Sequence, residues 1–174
     1  MFALESPLFE TDAQVVELER RDDFFLRAMC PEDLPQVVAL ETHSQRDPWA
    51  QQSFLSEFDN PRVSQPLVAL LKNEVVGYIV PWFITDEVQI ANLAVKENYR
   101  QQGLGRFMLS QVLHLAQKRQ CRSAFLEVRK SNQAARRLYE SLGFIVEGLR
   151  PHYYGRGQED AILMKKNLIP ENTF

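Results

Sequence analysis

The sequence predicts an α/β fold of the α+β type, in which helices pack on both faces of one mixed, mostly antiparallel sheet. Three strand-like runs follow one another across short turns, which is the first observation behind this prediction. An amphipathic helix then separates the last run from a further buried strand, and another helix precedes a terminal hairpin. With 174 residues, of which 45% are hydrophobic and 25% charged, the chain is long enough for one domain with a sizeable core.

The first part of the domain predicts one strand followed by two helices. Residues 24–29 form a short apolar run, and residues 30–33 can open a helix because proline suits the first position and acids complement the dipole. The spacing of apolar residues continues this helix to Glu41. Residues 48–58 predict a second helix that is ended by the Asn-Pro pair at 60–61. The residues expected to face inward from it are Phe54, Leu55 and Phe58.

The middle of the chain predicts an antiparallel meander and then a crossover. The runs at 67–72, 74–84 and 87–95 read as strands separated by very short turns. Residues 104–119 carry apolar side chains at helical spacing, and 124–128 form a short buried strand. Because a helix connects the strand ending at 95 to this buried strand, the two strands should be parallel, with a right-handed crossover.

The last part predicts a helix and a hairpin. Ser131 or Asn132 can cap a further helix, and Gly143 is placed for a left-handed end to it. Strands over 144–153 and 160–166 should pair around the glycine-containing turn at 155–157. The predicted domain therefore spans 24–168, with a C-terminal tail over 169–174.

Residues 1–23 differ from the rest of the chain because acidic residues outnumber basic ones there. Organelle transit peptides are rich in arginine and poor in acids, so this segment does not read as one. We expect an acidic leader that is partly ordered, since Val15, Val16 and Leu18 could bury a small apolar face. A mobile leader is the alternative.

Composition excludes several classes of partner and cofactor. A net charge of −3 and a pI near 5.7 argue against nucleic acid or an anionic membrane as the main partner, because both usually require clustered lysine and arginine. Cys30 and Cys121 lie far apart and read as reduced thiols of a cytoplasmic protein. The three histidines show no metal-ligand spacing, so we expect no metal. No apolar run approaches the ~20 residues that span a bilayer.

Residues 100–106 carry the pattern R-x-x-G-x-G between a predicted strand and a predicted helix. Two glycines at this place allow the backbone to approach an anion closely, and the first N–H groups of the following helix have no partner within it. A ligand with a pyrophosphate would fit there. The pattern alone is weak, because a tight strand-to-helix turn without any ligand would look the same.

Several further motifs stand in order along the same elements. They are DPW at 47–49, NLAV at 92–95, LEVR at 126–129, SN at 131–132, LYE at 138–140, LGF at 142–144, YY at 153–154 and EDA at 159–161. With these motifs, residues 25–168 resemble the GNAT superfamily of N-acetyltransferases and, within it, the ribosomal-protein alanine N-acetyltransferases of the RimI type. The resemblance implies the GNAT fold, in which a splayed pair of parallel strands holds acetyl-CoA. The acidic leader has no counterpart in this pattern.

The resemblance implies which residues bind the cofactor. Main-chain groups of Leu93, Ala94 and Val95 would bind the acetyl and pantetheine portions, and Asn132 would contact the cofactor further along. The pyrophosphate would lie against Gln101, Gln102, Gly103, Leu104, Gly105 and Arg106. For residues 93–95 a plain core strand is the alternative, and both interpretations can hold together.

Two catalytic residues are also implied by the resemblance. Glu127 matches the proton acceptor of the family, and Tyr139 matches the proton donor to the departing CoA thiolate. From the residues alone, Glu127 would instead form a surface ion pair with Arg129, two positions along the same strand face. Tyr139 would be a core aromatic with a satisfied hydroxyl.

The acceptor implied by the resemblance is the N-terminal alanine of small-subunit ribosomal protein eighteen. An α-amine suits the chemistry, because with a pKa near ~7.8 about a quarter of it is neutral at pH 7.4, against about one part in a thousand for lysine. Acetylation of a small amine or a lysine side chain is the alternative, and a non-catalytic acyl-CoA-binding module is a more distant one. We expect a monomer or weak homodimer that binds neither nucleic acid nor membranes.

The same resemblance suggests where the acceptor would enter. By this resemblance the peptide channel would be lined by Tyr153, Tyr154 and the acidic pair at 159–160. The alternative is sheet packing, which is more common for tyrosines in a terminal hairpin. Trp49 lies in a loop that family members place beside the acceptor groove. From its position alone, Trp49 reads as an anchor at the start of a helix.

Overall fold

The structure is a computed structural model that describes residues 24–155 and 158–169. The predicted leader over 1–23, the centre of the last turn at 156–157 and most of the predicted tail lie outside these residues. The strands of the described part are β1 Phe24–Ala28, β2 Leu67–Leu71, β3 Glu74–Ile84, β4 Glu87–Val95, β5 Ser123–Arg129, β6 Ile145–Tyr154 and β7 Glu159–Asn167. The α-helices are α1 Leu34–Ser44, α2 Gln51–Ser56, α3 Leu104–Lys118 and α4 Gln133–Ser141.

The strands form one mixed sheet, as the sequence predicts. Its order is β1-β2-β3-β4-β5-β7-β6, and β4–β5 is the parallel pair among the described strands. The predicted meander of β2, β3 and β4 and the terminal hairpin of β6 and β7 are confirmed. The turns at 72–73 and 85–86 are tight, and Lys72 and Thr85 adopt left-handed φ angles of 57° and 55°.

The helices divide between the two faces of the sheet. Helices α1 and α2 cover one side, called the α1 face here, through a core that includes Val37 and Phe54. Helices α3 and α4 cover the other side, called the α3 face, through a second core that includes Met108 and Tyr139. This layering confirms the predicted fold class.

One predicted inward residue is wrong. Leu55 is 36% exposed, whereas Phe54 is fully buried and Phe58 is partly buried against the α1 face. Consecutive residues of a helix point about 100° apart, and α2 directs Phe54 at the α1 face, so Leu55 lies to the side of this contact.

The ends of α4 follow the predicted signals. The Asn132 side chain accepts a hydrogen bond from the Ala135 N–H at 3.1 Å, which is an N-cap contact. Gly143 follows the helix with φ of 87°, a left-handed angle that favours glycine. The predicted cap and stop are both confirmed.

A bulge interrupts the pairing of β3 with β4. Val80 pairs with Asn92 and Pro81 with Ile90, so Ala91 is an extra residue in β4. Before the bulge Val88 and Ile90 face α3, and after it Leu93 and Val95 do. Pro81 lies at this point because a proline cannot donate to a regular ladder and is tolerated at bulges.

Gly77 permits the close approach of α3 to the sheet. It pairs with Val95 at the end of β4, and a Cβ atom there would lie 2.9 Å from Met108 Cε and 3.1 Å from the Ala94 carbonyl oxygen. These distances are too short for ordinary packing. The missing side chain therefore sets the position of α3 against the end of β4.

We expect Gly77→Ala to lower the free energy of unfolding by about 1–2 kcal/mol, because the new methyl group overpacks this contact. Gly148→Ala is the matched control, since Gly148 also lies in a strand and its Cβ would meet nothing within 4 Å. The control should change stability by less than about 0.5 kcal/mol in urea unfolding. Equal effects of the two substitutions would contradict the packing argument.

Candidate active site

The site is built where β4 and β5 separate. Their parallel pairing runs from Glu87 with Ser123 to Ile90 with Leu126, although β4 continues to Val95 and β5 to Arg129. The two strands therefore diverge over their last residues. Backbone groups need hydrogen-bond partners, so the facing edges of diverging strands can bind a ligand that carries amides and a carbonyl.

The turn between β4 and α3 has the backbone that an anion site requires. Gln101 and Gly103 adopt left-handed φ angles of 58° and 85°, and α3 begins at the next residue, Leu104. The first N–H groups of α3 point out of the helix into the turn, at the positive end of its dipole. The left-handed angle at Gln101 could not be predicted from the sequence, because glycine normally supplies such angles.

Gly105 has a different role from Gly103. Its Cβ would lie 3.3 Å from Leu138 of α4 and 3.6 Å from Val95 of β4, so the glycine allows these three elements to meet closely. Arg100 fixes the other side of the turn by donating from Nε to the Val95 carbonyl at 2.9 Å. Both contacts hold the turn at the foot of the divergence.

Tyr139 lies in the core of the α3 face. Its side chain is 7% exposed and its ring packs 6.1 Å from the ring of Phe144. Burial, with a smaller contribution from Tyr154, raises the pKa of Tyr139 to about 12. The hydroxyl therefore keeps its proton at neutral pH and can act as a donor.

Glu127 is the first residue of β5 beyond the last pair with β4, and its side chain points to the opposite face from Tyr139. Its carboxyl group is 17% exposed and forms an ion pair with Arg150 of β6, with 2.8 Å between Nη1 and Oε1. The alternative partner considered from sequence, Arg129, pairs with Glu159 and Asp47 instead. The register of three strands decides this choice, and the sequence does not specify that register.

Tyr154 connects the two predicted catalytic residues. Burial, followed by the negative charge of Glu127, raises the pKa of Tyr154 to about 12, and Tyr154 in turn acts on Tyr139. Tyr154 thus interacts electrostatically with both Glu127 and Tyr139, whose side chains lie on opposite sides of the sheet. Asn132, by contrast, uses its side-chain oxygen as the cap of α4.

Three segments are joined over the mouth of the divergence by the cluster of Asp47, Arg129 and Glu159. The Arg129 guanidinium pairs with both carboxyl groups and lies 4.1 Å over the ring of Tyr154. Asp47 also accepts a hydrogen bond from the Gly155 N–H at 3.1 Å. The α1–α2 loop is therefore held to the β6–β7 turn. This role of Arg129 was not predicted from the sequence, although all three residues belong to the motifs at 47–49, 126–129 and 159–161.

Glu41 forms a buried network behind the same strands. Its Oε1 atom accepts hydrogen bonds from the Trp49 N–H at 2.8 Å and from Asn92 Nδ2 at 3.1 Å. Its Oε2 atom accepts from the Tyr78 hydroxyl, and burial together with Glu41 raises the pKa of Tyr78. The fully buried Glu41 thus fixes both the α1–α2 loop and β4. Trp49 packs against Phe54 at 5.4 Å, as an anchor at the start of a helix should.

A groove of about 230 Å³ opens on the α1 face beside Glu127. Glu127 and Arg150 line one end, and Phe125 and Leu163 form part of its floor. No group of three or more metal-ligating side chains occurs within residues 24–155 and 158–169. In the same residues no helix is long and apolar enough to cross a membrane.

Comparison with known proteins agrees with this geometry. Residues 26–144 match the model of the acetyltransferase (GNAT) family. The chain belongs to this family. The predicted membership and the predicted fold are both confirmed.

Individual relatives narrow the comparison. The ribosomal protein bS18-alanine N-acetyltransferase of Escherichia coli (strain K12) is 35% identical over 134 residues, which cover 76% of this chain and 89% of the relative. The crystal structure of the Escherichia coli ribosomal-protein alanine N-acetyltransferase superposes with a TM-score of 0.78 at 30% identity, covering 87% of this chain and 98% of that one. The crystal structure of Ard1 from Thermoplasma volcanium superposes with a TM-score of 0.79 at 27% identity, and the match covers 85% of this chain and 99% of Ard1.

We expect Glu41→Leu to lower the free energy of unfolding by about 2–4 kcal/mol, because three buried donors lose their acceptor. Glu41→Gln should cost about 1 kcal/mol or less, since its oxygen can still accept and its amide can donate to Tyr78. Urea unfolding measures both, with Glu140→Leu at an exposed position of α4 as the control. If the Gln and Leu variants were equally unstable, the network would not depend on hydrogen bonding.

Proposed function

We propose that this protein transfers the acetyl group of acetyl-CoA to the N-terminal α-amine of a protein. The acceptor proposed is the N-terminal alanine of ribosomal protein bS18, on which the named Escherichia coli relative acts. The single observation that carries the chemistry is the divergence of β4 and β5, with Glu127 at its edge and the left-handed turn at its foot. The acceptor of such an enzyme is a cytoplasmic protein, and we expect the enzyme in the same compartment.

The residues of the turn fit the phosphates of acetyl-CoA. The left-handed Gly103, the side-chain-free Gly105 and the start of α3 together present backbone N–H groups to an anion. We assign this role to Gln101, Gln102, Gly103, Leu104, Gly105 and Arg106. Main-chain groups of Leu93, Ala94 and Val95 would bind the pantetheine and acetyl portions, and Asn132 would use its amide nitrogen, because its oxygen is the helix cap.

Acetyl-CoA supplies a thioester, and the residues of the site act on the two protons that the transfer moves. Glu127 accepts the proton of the acceptor amine, directly or through one water molecule. Tyr139 donates a hydrogen bond to the leaving sulfur. Because its pKa is about 12, well above the ~8.5 of a thiol, transfer of its proton depends on close contact rather than on acidity.

The charge state of the acceptor favours an α-amine over lysine. The difference of about 2.6 pKa units corresponds to roughly 3.5 kcal/mol. A single carboxyl group such as Glu127 provides a modest base, which suits the substrate that is already partly neutral. Acetylation of a small amine or a lysine would use the same cofactor machinery with a different groove.

The test of this function uses two peptides that carry the first residues of the ribosomal target, one with a free and one with a blocked N-terminus. We expect acetylation of the free peptide at its α-amine, located by mass spectrometry, and none of the blocked peptide. Transfer to a lysine of the blocked peptide would indicate that the enzyme acetylates lysine side chains instead. Binding of acetyl-CoA without turnover on any amine would indicate a non-catalytic module.

We expect Glu127→Gln and Tyr139→Phe each to lower kcat by about 10²–10⁴-fold. The Kd for acetyl-CoA should change by less than about threefold, because Glu127 acts on the amine and Tyr139 donates to the cofactor sulfur chiefly as the thiolate leaves. Gly103→Ala is the converse control and should weaken acetyl-CoA binding by about tenfold or more, since a left-handed angle at this position disfavours a side chain. Loss of cofactor binding in the first two variants would show that Glu127 and Tyr139 are structural.

A further inference from the structure

Arg150 contacts the proposed proton acceptor and has no assigned role. Its Nη1 atom lies 2.8 Å from Oε1 of Glu127, a contact to one oxygen of the carboxyl group. The guanidinium also lies 4.8 Å from the ring centre of Tyr153, and the Tyr153 side chain interacts with Glu127 as well. Arg150 therefore holds Glu127 in place at the edge of the groove that both residues line.

The position of Arg150 argues against a role in folding. Its side chain is 50% exposed on β6, the edge strand of the sheet, while Glu127 is 17% exposed. An exposed ion pair contributes little to stability. The same cation, however, lies beside the place where an acceptor amine must approach Glu127, and a nearby positive charge disfavours a protonated amine.

We infer that Arg150 is a positioning residue for acetyl transfer: its guanidinium orients Glu127 through one oxygen and favours the neutral form of the acceptor amine. This inference rests on the proposed function of Glu127 as proton acceptor. Arg150 alone would then both orient the base Glu127 and help to keep the acceptor amine, which is the nucleophile, in its neutral form.

Other charged and titratable groups surround the Arg150–Glu127 pair, and their effects on the pH profile must be distinguished from the effect of Arg150. They are Glu87 of β4, Arg129 of β5, Glu147, Tyr153 and Tyr154 of β6, Glu159 and Lys165 of β7, and Asp47 of the α1–α2 loop; Lys165 is paired with Glu147. Arg129 is paired with Asp47 and Glu159, and burial raises the pKa of both tyrosines, which therefore stay protonated at neutral pH. His152 lies two residues from Arg150 along β6, so it needs its own control.

The test compares Arg150→Gln with the wild type over pH 6–9, using the free-N-terminus peptide. We expect kcat/KM at pH 7 to fall about tenfold and the acidic limb of the profile to move up by about 0.5–1 pH unit, because the amine stays protonated to higher pH. Arg150→Lys should keep the acidic limb near its wild-type position. His152→Asn, which tolerates the left-handed φ of 54° at that residue, should leave the limb unchanged.

A double variant tests whether Arg150 acts through Glu127. In the Glu127→Gln background at pH 9, where the acceptor amine is already mostly neutral, Arg150→Gln should lower kcat by less than about twofold, because the residue to be oriented is already disabled. Thermal unfolding should show that Arg150→Gln is as stable as the wild type. Arg62→Gln, at an exposed position in the loop after α2, is the control for loss of a surface arginine.

Three results would overturn the inference. One is an unchanged pH profile for Arg150→Gln, another is an equal loss at every pH that lysine does not restore, and the third is a full effect at pH 9 in the Glu127→Gln background. These outcomes are distinct from failure of the proposed function. In that case the wild type itself would not acetylate the α-amine, or Glu127→Gln would retain full turnover.

Discussion

Where β4 and β5 stop exchanging hydrogen bonds, at Ile90 and Leu126, the backbone of each strand must find other partners. A sheet normally satisfies these groups with its next strand, and here the strands instead diverge toward a helix N-terminus. The region between them is therefore suited to a ligand that carries hydrogen-bonding groups along its length and a negative charge at one end. The remaining features of the site are arranged around that one interruption.

Two polar networks fix the geometry of the region where β4 and β5 separate. Glu41 fixes β4 and the α1–α2 loop from within the α1 face, and Arg129 joins that loop to the β6–β7 turn at the mouth. The first network is buried and the second is partly exposed. The gap between β4 and β5 is thus held by a buried network on the inside and by a more accessible one at its open end. The proposed proton donor Tyr139 and the proposed proton acceptor Glu127 approach this gap from opposite faces of the sheet.

Local signals in the sequence account for most of the fold. The cap at Asn132, the stop at Gly143 and the short turns between β2, β3 and β4 are each decided by neighbouring residues, so they could be predicted. The partner of Glu127 could not, because Arg150 reaches it only through the irregular register of β6 against β7. The network around Glu41 was not predicted for a similar reason, since it joins residues of α1, the α1–α2 loop, β3 and β4.

The extra residue in β4 has a consequence for how this chain can vary. Side chains alternate along a strand, and the bulge at Ala91 shifts that alternation so that both halves of β4 direct apolar residues to α3. Removing one residue here would turn Leu93 and Val95 toward the wrong layer. The number of residues in this part of β4 is therefore more tightly constrained than their identity, because the spacing decides which layer each side chain enters.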